Sequence, residues 1–157
     1  MQTLGNRLLY GLAVRVLSGL AHLPLGLAYW LGARFGDVLY FVLGERRRIT
    51  LANLTLAFGT DKTAAERRRL ARTTFRNLGQ HLVDFSHLSQ LTPRTFAAMC
   101  HVEGLEHVEA LLQRRMGLLI LSAHFGSWEL APAIALRLTT PLHVIVRPLD
   151  NPALQRL

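Results

Sequence analysis

The chain has 157 residues, half of them hydrophobic and 18% charged, and carries a formal net charge of +8 at pH 7. That length can enclose one domain with a real core, while the single cysteine, Cys100, excludes an internal disulfide and fits a reducing compartment. No Cys–His cluster with metal-ligand spacing occurs, so a structural zinc site is not expected; no cofactor is assigned.

The basic excess is almost all arginine, with Lys62 the only lysine. Guanidinium forks bind phosphate and carboxylate in bidentate fashion. Nucleic acid is disfavoured as a partner, because the arginines accompany a long apolar segment and no aromatic-studded strand or compact recognition helix is visible. A membrane surface suits them better, since anionic headgroups attract juxtamembrane arginines. Residues 8–43 are apolar but interrupted by Arg15, His22, Pro24, Arg34 and Asp37. The longest stretch without Asp, Glu, Lys or Arg, from Val16 to Ala33, only reaches the lower limit for a transmembrane helix and contains His22 and Pro24. A secretory signal fits poorly, as no small-residue cleavage site follows a compact apolar core. The pattern predicts two helices broken near His22–Pro24 and lying partly in the bilayer interface, with Trp30, Tyr40 and Phe41 as anchors. A helical hairpin buried in the protein is the alternative. Residues 1–45 are therefore expected to form a membrane-associated helical segment, and 46–157 a separate domain.

Arg46, Arg47 and Arg48 make a basic knot that serves either headgroup contact or a solvated helix end. Thr63-Ala-Ala-Glu66 is a capping box that opens a helix running to about Leu88. Its expected apolar stripe is Leu70, Ala71, Thr74, Leu78, Leu82 and Phe85. Arg67, Arg68, Arg69, Arg72 and Arg76 fall mainly off that stripe, as a solvated face or a docking surface for an acidic protein. Leu91-Thr-Pro93 starts a turn or a new helix. His101-Val-Glu103 is expected to begin a strand, and Leu105 to Arg115 a helix ending at Gly117, with Arg114 and Arg115 complementing its dipole.

Gly117-Leu-Leu-Ile-Leu-Ser-Ala-His-Phe-Gly-Ser-Trp-Glu129 is the most informative passage. Residues 117–121 read as a short strand buried on both faces, because the aliphatic run has no polar alternation. Gly126 and Ser127 break the run, and a helix follows with Ser127 as N-cap. His124 then stands at a strand end beside a helix N-terminus, where open α/β sheets place chemistry. Glu129, in the first helical turn, is favoured by the macrodipole and can hold one imidazole nitrogen while the other accepts a proton. That is a base with its orienter and no protein nucleophile, the pair needed to activate a substrate hydroxyl. A structural histidine at a strand end is the plainer reading of the same spacing. Leu142 to Val146 is expected as a second buried strand, which would complete a right-handed βαβ unit with a parallel pair.

His124-Phe-Gly-Ser-Trp-Glu129 resembles the signature of the bacterial lipid A biosynthesis acyltransferases, and more distantly that of the glycerol-phosphate acyltransferases, which end the motif in Asp. Arg46 to Phe58, with Asn53-Leu and Ala57-Phe58, is similar to the family's basic segment. Val102-Glu-Gly104-Leu-Glu106 resembles the strand and turn before its catalytic block, and Val146-Arg147-Pro-Leu-Asp-Asn151-Pro its Arg-Pro and Asn-Pro segment. Ser127 stands where the family more often has Asn. Family members are considerably longer, so the chain is expected to be an N-terminal portion. The resemblance implies an α/β fold: a helical, membrane-associated N-terminus followed by the first βαβ part of a glycerol-phosphate-acyltransferase-like sheet. It also implies transfer of a fatty acyl group from acyl carrier protein or coenzyme A to a lipid A precursor hydroxyl, at the cytoplasmic face of the cell inner membrane. His124 would be the base and Glu129 its orienter. Arg147 would bind acceptor phosphate or the oxyanion, Gly126 and Ser127 would offer backbone donors, and Asn151 would cap a turn. A related acyltransferase acting on another glycolipid or a lysophospholipid, and a non-catalytic membrane-bound fragment, stay open.

Overall fold

The computed structural model describes residues 4–138 and 140–145. All regular structure among them is helical: α1 (Leu4–Ala21), α2 (Leu25–Val42), α3 (Gly44–Phe58), α4 (Ala64–His87), α5 (Pro93–Met99) and α6 (Leu105–Gln113), with 3-10 segments at Leu88–Gln90 and Trp128–Arg137. The chain divides into two compact units, Leu12–Ser86 and residues 1–11 with 87–157. No described helix is long and apolar enough to cross a membrane.

Local sequence explains most of the helix ends. Pro24, at the N-cap of α2 with φ −53° and ψ 132°, cannot continue α1, and its ring suits a helix start. The predicted break near His22–Pro24 is where the helices part. Gly59, at φ 47°, closes α3 in a conformation that side-chain-bearing residues rarely adopt. The capping box forms as expected: the Thr63 amide donates to Glu66 Oε2 at 2.7 Å, and the Glu66 amide to Thr63 Oγ1 at 3.2 Å. The Thr63 hydroxyl donates to the same Oε2 at 2.8 Å, and the amide and hydroxyl bonds together hold the Glu66 carboxyl below its ordinary range. Arg67 ties the turn together by donating to the carbonyls of Gly59 and Lys62.

Within the Leu12–Ser86 unit, glycines set the packing of α2 on α4. A Cβ built on Gly32, Gly36 or Gly79 would lie closer than 3.0 Å to backbone atoms of the facing helix, Gly79, Phe75 and Gly32 respectively. At that separation the helices meet backbone to backbone, and Cα–H···O contacts become available. The buried stripe of α4 is consequently Ala71, Phe75, Gly79, Val83 and Ser86. It lies about one residue out of register with the stripe expected from apolarity: Ala71 belongs to both, but Leu78 and Leu82 are exposed. The physical reason is that α4 presents its smallest residue, not its largest, at the closest approach. One turn away, Tyr40 packs edge-on against Phe75 with ring centroids 5.6 Å apart, beside Ala71 and the half-buried Leu39, Leu51 and Leu54.

The same approach carries Asp37 into the interface. Its carboxylate accepts from Arg72 Nε at 2.6 Å, from Arg76 Nε at 2.8 Å and from Arg76 Nη2 at 3.0 Å, while Arg34 Nη2 lies 3.1 Å away. The hydrogen bonds from Arg76 and Arg72 hold the Asp37 carboxyl far below the usual carboxylate range, against the opposing effect of burial. Arg72 and Arg76 are thus tied to α2 and are not simply a solvated face.

The α/β expectation is overturned. Among the described residues no strand forms: not at His101, not at 117–121 and not at 142–145. The aliphatic run expected to be buried on both faces is exposed, with Leu119 at 83% and Leu121 at 88%. A strand is a paired structure, and two short parallel runs joined by one crossover leave both outer edges and all four faces uncovered. An aliphatic run signals burial only where such layers exist to bury it.

Two predictions follow from this packing. Gly79→Ala should lose about 1–3 kcal/mol in urea denaturation, because the methyl clash outweighs the ordinary helix-propensity gain of roughly 1 kcal/mol. Gly19→Ala, where a Cβ meets nothing within 4 Å, should instead be neutral or stabilising. The second concerns acid. A depressed folded-state pKa makes the Asp37 contribution fully present above the ordinary carboxylate range near pH 4 and progressively lost as pH falls below it. Melting followed by circular dichroism should therefore show Tm falling steeply below about pH 4, and more shallowly in Asp37→Asn.

Candidate active site

The candidate site lies in the unit formed by residues 1–11 and 87–157. Thr92 caps α5 reciprocally with Thr95, and Pro93 opens the helix as expected. This places Phe96 on the buried side, and α5 packs against the 3-10 segment Trp128–Arg137. Helix α6 ends at Gln113, two residues before the expected Arg115 and well short of Gly117. The Met116 amide bonds to the Leu111 carbonyl and the Arg115 amide to the Leu112 carbonyl, a Schellman closure with Arg115 at φ 56°. Gly117 is left to the segment that follows.

His124 sits at the apex of a three-residue turn in which the Phe125 amide donates to the Ala123 carbonyl at 2.9 Å. Gly126 follows at φ 60°, a left-handed step that a glycine takes without strain. Ser127 holds the N-cap position expected of it, but its side chain makes no capping hydrogen bond. The helix beyond is 3-10 rather than α, with Pro132 inside it. Proline lacks the amide an α-helix needs there, which favours the tighter, more irregular winding. Gly126 and Ser127 still stand at a helix N-terminus, the position where backbone amides face outward.

The structure does not join the two proposed catalytic side chains. The exposed His124 imidazole packs against Trp128, with ring centroids 4.5 Å apart and planes tilted by 50°. Glu129 lies in the first turn of the 3-10 segment, and its Oε2 is buried with no hydrogen-bond partner. A buried carboxylate oxygen without a donor is costly. Beside the turn opens an apolar depression of about 410 Å³, lined by Phe96, Val102, Leu121, Phe125 and Trp128 among others. Its wall includes Ala123, Phe125 and Ser127, the close neighbours of His124 on either side. Trp128 and Phe96 were not singled out from sequence as site residues. The aromatic inside the motif and the lone aromatic of the capped α5 were the available signals. Arg147 and Asn151 lie outside the described residues, as does Val146 of the expected second strand. Among the described residues no three His, Cys, Asp or Glu side chains are placed to share a metal ion.

Comparison with known proteins addresses what this arrangement belongs to. The chain is 28% identical over 146 residues to the lipid A biosynthesis lauroyltransferase of Escherichia coli strain K12, covering 93% of this chain and 47% of that protein. It is 29% identical over 129 residues to the lipid A biosynthesis palmitoleoyltransferase of the same organism, covering 82% of this chain and 42% of the relative. The same figures hold for a lipid A biosynthesis acyltransferase of Shigella flexneri. The chain thus spans slightly less than half the length of the curated relatives it matches. No solved structure matches it. The model of the bacterial lipid A biosynthesis acyltransferases matches residues 5–157, nearly the whole sequence, and the chain belongs to that family.

Proposed function

We propose that the protein is an O-acyltransferase moving a fatty acyl group from a thioester donor, acyl carrier protein or coenzyme A, to a hydroxyl of a lipid A precursor. The observation that carries this reading is the His124-x-x-x-x-Glu129 pair on a turn beside an apolar depression, in a chain of this family. In the reaction, a ring nitrogen of His124 takes the proton of the acceptor hydroxyl as its oxygen attacks the thioester carbonyl. The tetrahedral intermediate collapses, the C–S bond breaks, and the imidazolium returns its proton to the leaving thiolate. Backbone amides of Gly126 and Ser127 would stabilise the oxyanion, the role for which a helix N-terminus is suited. Arg147 is assigned to the acceptor phosphate.

Glu129 enters as the orienting group. Its Oε2 lacks a donor, and an N–H from the His124 ring would supply one. A swing of the imidazole off Trp128 toward Glu129 would then fix the tautomer and favour the imidazolium that forms. The depression lined by Phe96, Leu121 and Phe125 has the apolar character an acyl chain requires. The helices at the N-terminus, α1 and α2, expose Leu12, Trp30, Phe35, Val38 and Phe41. That supports association with the inner-membrane surface at its cytoplasmic face, in the interfacial manner of an amphipathic helix.

In the intact enzyme, His124→Ala should lower turnover at least about a hundredfold, the scale of a positioned base. Turnover near wild type, or a covalent acyl-enzyme at Ser122 or Ser127 found by mass spectrometry of the quenched reaction, would contradict the scheme. Glu129→Gln should reduce kcat with little change in the KM for the acceptor, because the lost interaction belongs to the transition state. A rise in that KM alone would make Glu129 a binding residue instead.

A further inference from the structure

The cluster around Asp37 is unbalanced. Arg34, Arg72 and Arg76 converge on one carboxylate whose side chain is 10% exposed, while their own side chains are 46%, 43% and 36% exposed. Asp37 offers about four acceptor directions, and the contacts from the three guanidiniums occupy them. Each guanidinium carries about five N–H donors, so most of them remain directed elsewhere. One negative charge against three positive ones leaves a surplus of two, held in place by α2 and α4.

The surroundings of this cluster indicate what would meet it. On α2 the face opposite the buried Ala28, Gly32, Gly36 and Tyr40 carries Leu27, Trp30, Leu31, Phe35, Val38, Phe41 and Val42, all exposed. Arg34 lies on that face, at helical steps from Trp30, Val38 and Phe41. The Arg72 guanidinium sits 5.6 Å from the centre of the Phe41 ring, within cation–π range. The charged cluster therefore adjoins a long apolar stripe on one surface. A soluble acidic partner would meet the charges but leave the stripe in water. A bilayer interface offers phosphates next to acyl chains in the same order.

We propose that Arg34, Arg72 and Arg76 form a binding site for the phosphate of an anionic phospholipid headgroup, with the exposed face of α2 immersed beside it. The site rests on the interfacial reading of the N-terminal helices. It is distinct from the Arg46–Arg48 knot, where Arg47 is turned toward Tyr40 and donates to its carbonyl at 3.4 Å. Guanidinium and phosphate pair in bidentate fashion, and the carboxylate fixes the three side chains in advance, which reduces the ordering cost of binding.

The test is flotation of the purified chain with phosphatidylcholine vesicles, with and without phosphatidylglycerol, at constant ionic strength. Phosphatidylglycerol should raise partitioning of the wild type, and Arg34→Gln with Arg72→Gln should reduce that increment about tenfold. Arg34→Gln alone keeps both links from α4 to Asp37, so it should melt like the wild type and still lose most of the increment. Arg68→Gln with Arg69→Gln, equal in charge but on exposed positions of α4, should change it less than about twofold. Equal losses in the two double variants would overturn the site in favour of general charge attraction. So would stabilisation of the wild type, but not of Arg34→Gln, by inorganic phosphate with no vesicle dependence, since that would mark a free-phosphate site. Phe35→Ser with Val38→Ser tests the underlying reading separately: it should abolish binding to phosphatidylcholine alone, and unchanged binding there would refute the immersed face.

Discussion

Everything in the Leu12–Ser86 unit depends on how closely α2 and α4 approach. With Gly32 and Gly36 on one helix and Gly79 on the other, no side chain separates the backbones. Helices held at the usual 8–10 Å leave room for side chains between them; here that room is gone. Asp37 follows Gly36 directly and is carried into the contact, where an unpaired carboxylate would not be tolerated. Arg72 and Arg76, one turn apart on α4, reach it together. Tyr40, one turn beyond Gly36, meets Phe75 at the other side of the same contact. The approach also decides what stays outside. By giving α4 the small-residue face of α2, it leaves Leu27, Trp30, Phe35, Val38, Phe41 and Val42 exposed.

How far the fold could be read from sequence follows the range of the interactions involved. Pro24, the Thr63–Glu66 box and Thr92-Pro93 act within one turn, and each marks a helix start where the structure has one. The stripe of α4 was legible only to within one residue, because apolarity draws attention to Leu78 and Leu82 while the contact is made through Gly79. A glycine carries no hydrophobic signal, and only its pairing with Gly32 and Gly36 on another helix reveals its purpose. Strand formation failed as an expectation for the same reason in stronger form. Gly117 to Leu121 has the composition of a buried strand, but pairing and covering layers are properties of other parts of a protein.

The candidate site was legible as a motif and not as a geometry. The spacing of His124 and Glu129, with Gly126 between them, foretold a turn followed by a helix start, and both are present. It did not foretell that Trp128 would take the imidazole or that Glu129 Oε2 would be left without a donor. The helix type was also misjudged, although Pro132 was in view as the residue that an α-helix would not accommodate.

The two units share a property more informative than any single contact. Natural proteins satisfy buried polar groups almost completely, and an ion pair kept only for structure needs one partner for each charge. The Asp37 cluster has donors in excess of acceptors, and Glu129 has an acceptor oxygen without a donor. The arginine side chains are 36–46% exposed, so water takes their remaining donors, whereas the buried Glu129 Oε2 is the costlier of the two imbalances. For the arginines the proposed complement is a lipid phosphate beside the exposed face of α2. For Glu129 the proposed complement is an N–H of the His124 ring. In both places packing holds the polar group before its proposed complement arrives, from outside the chain at Asp37 and from the His124 ring at Glu129.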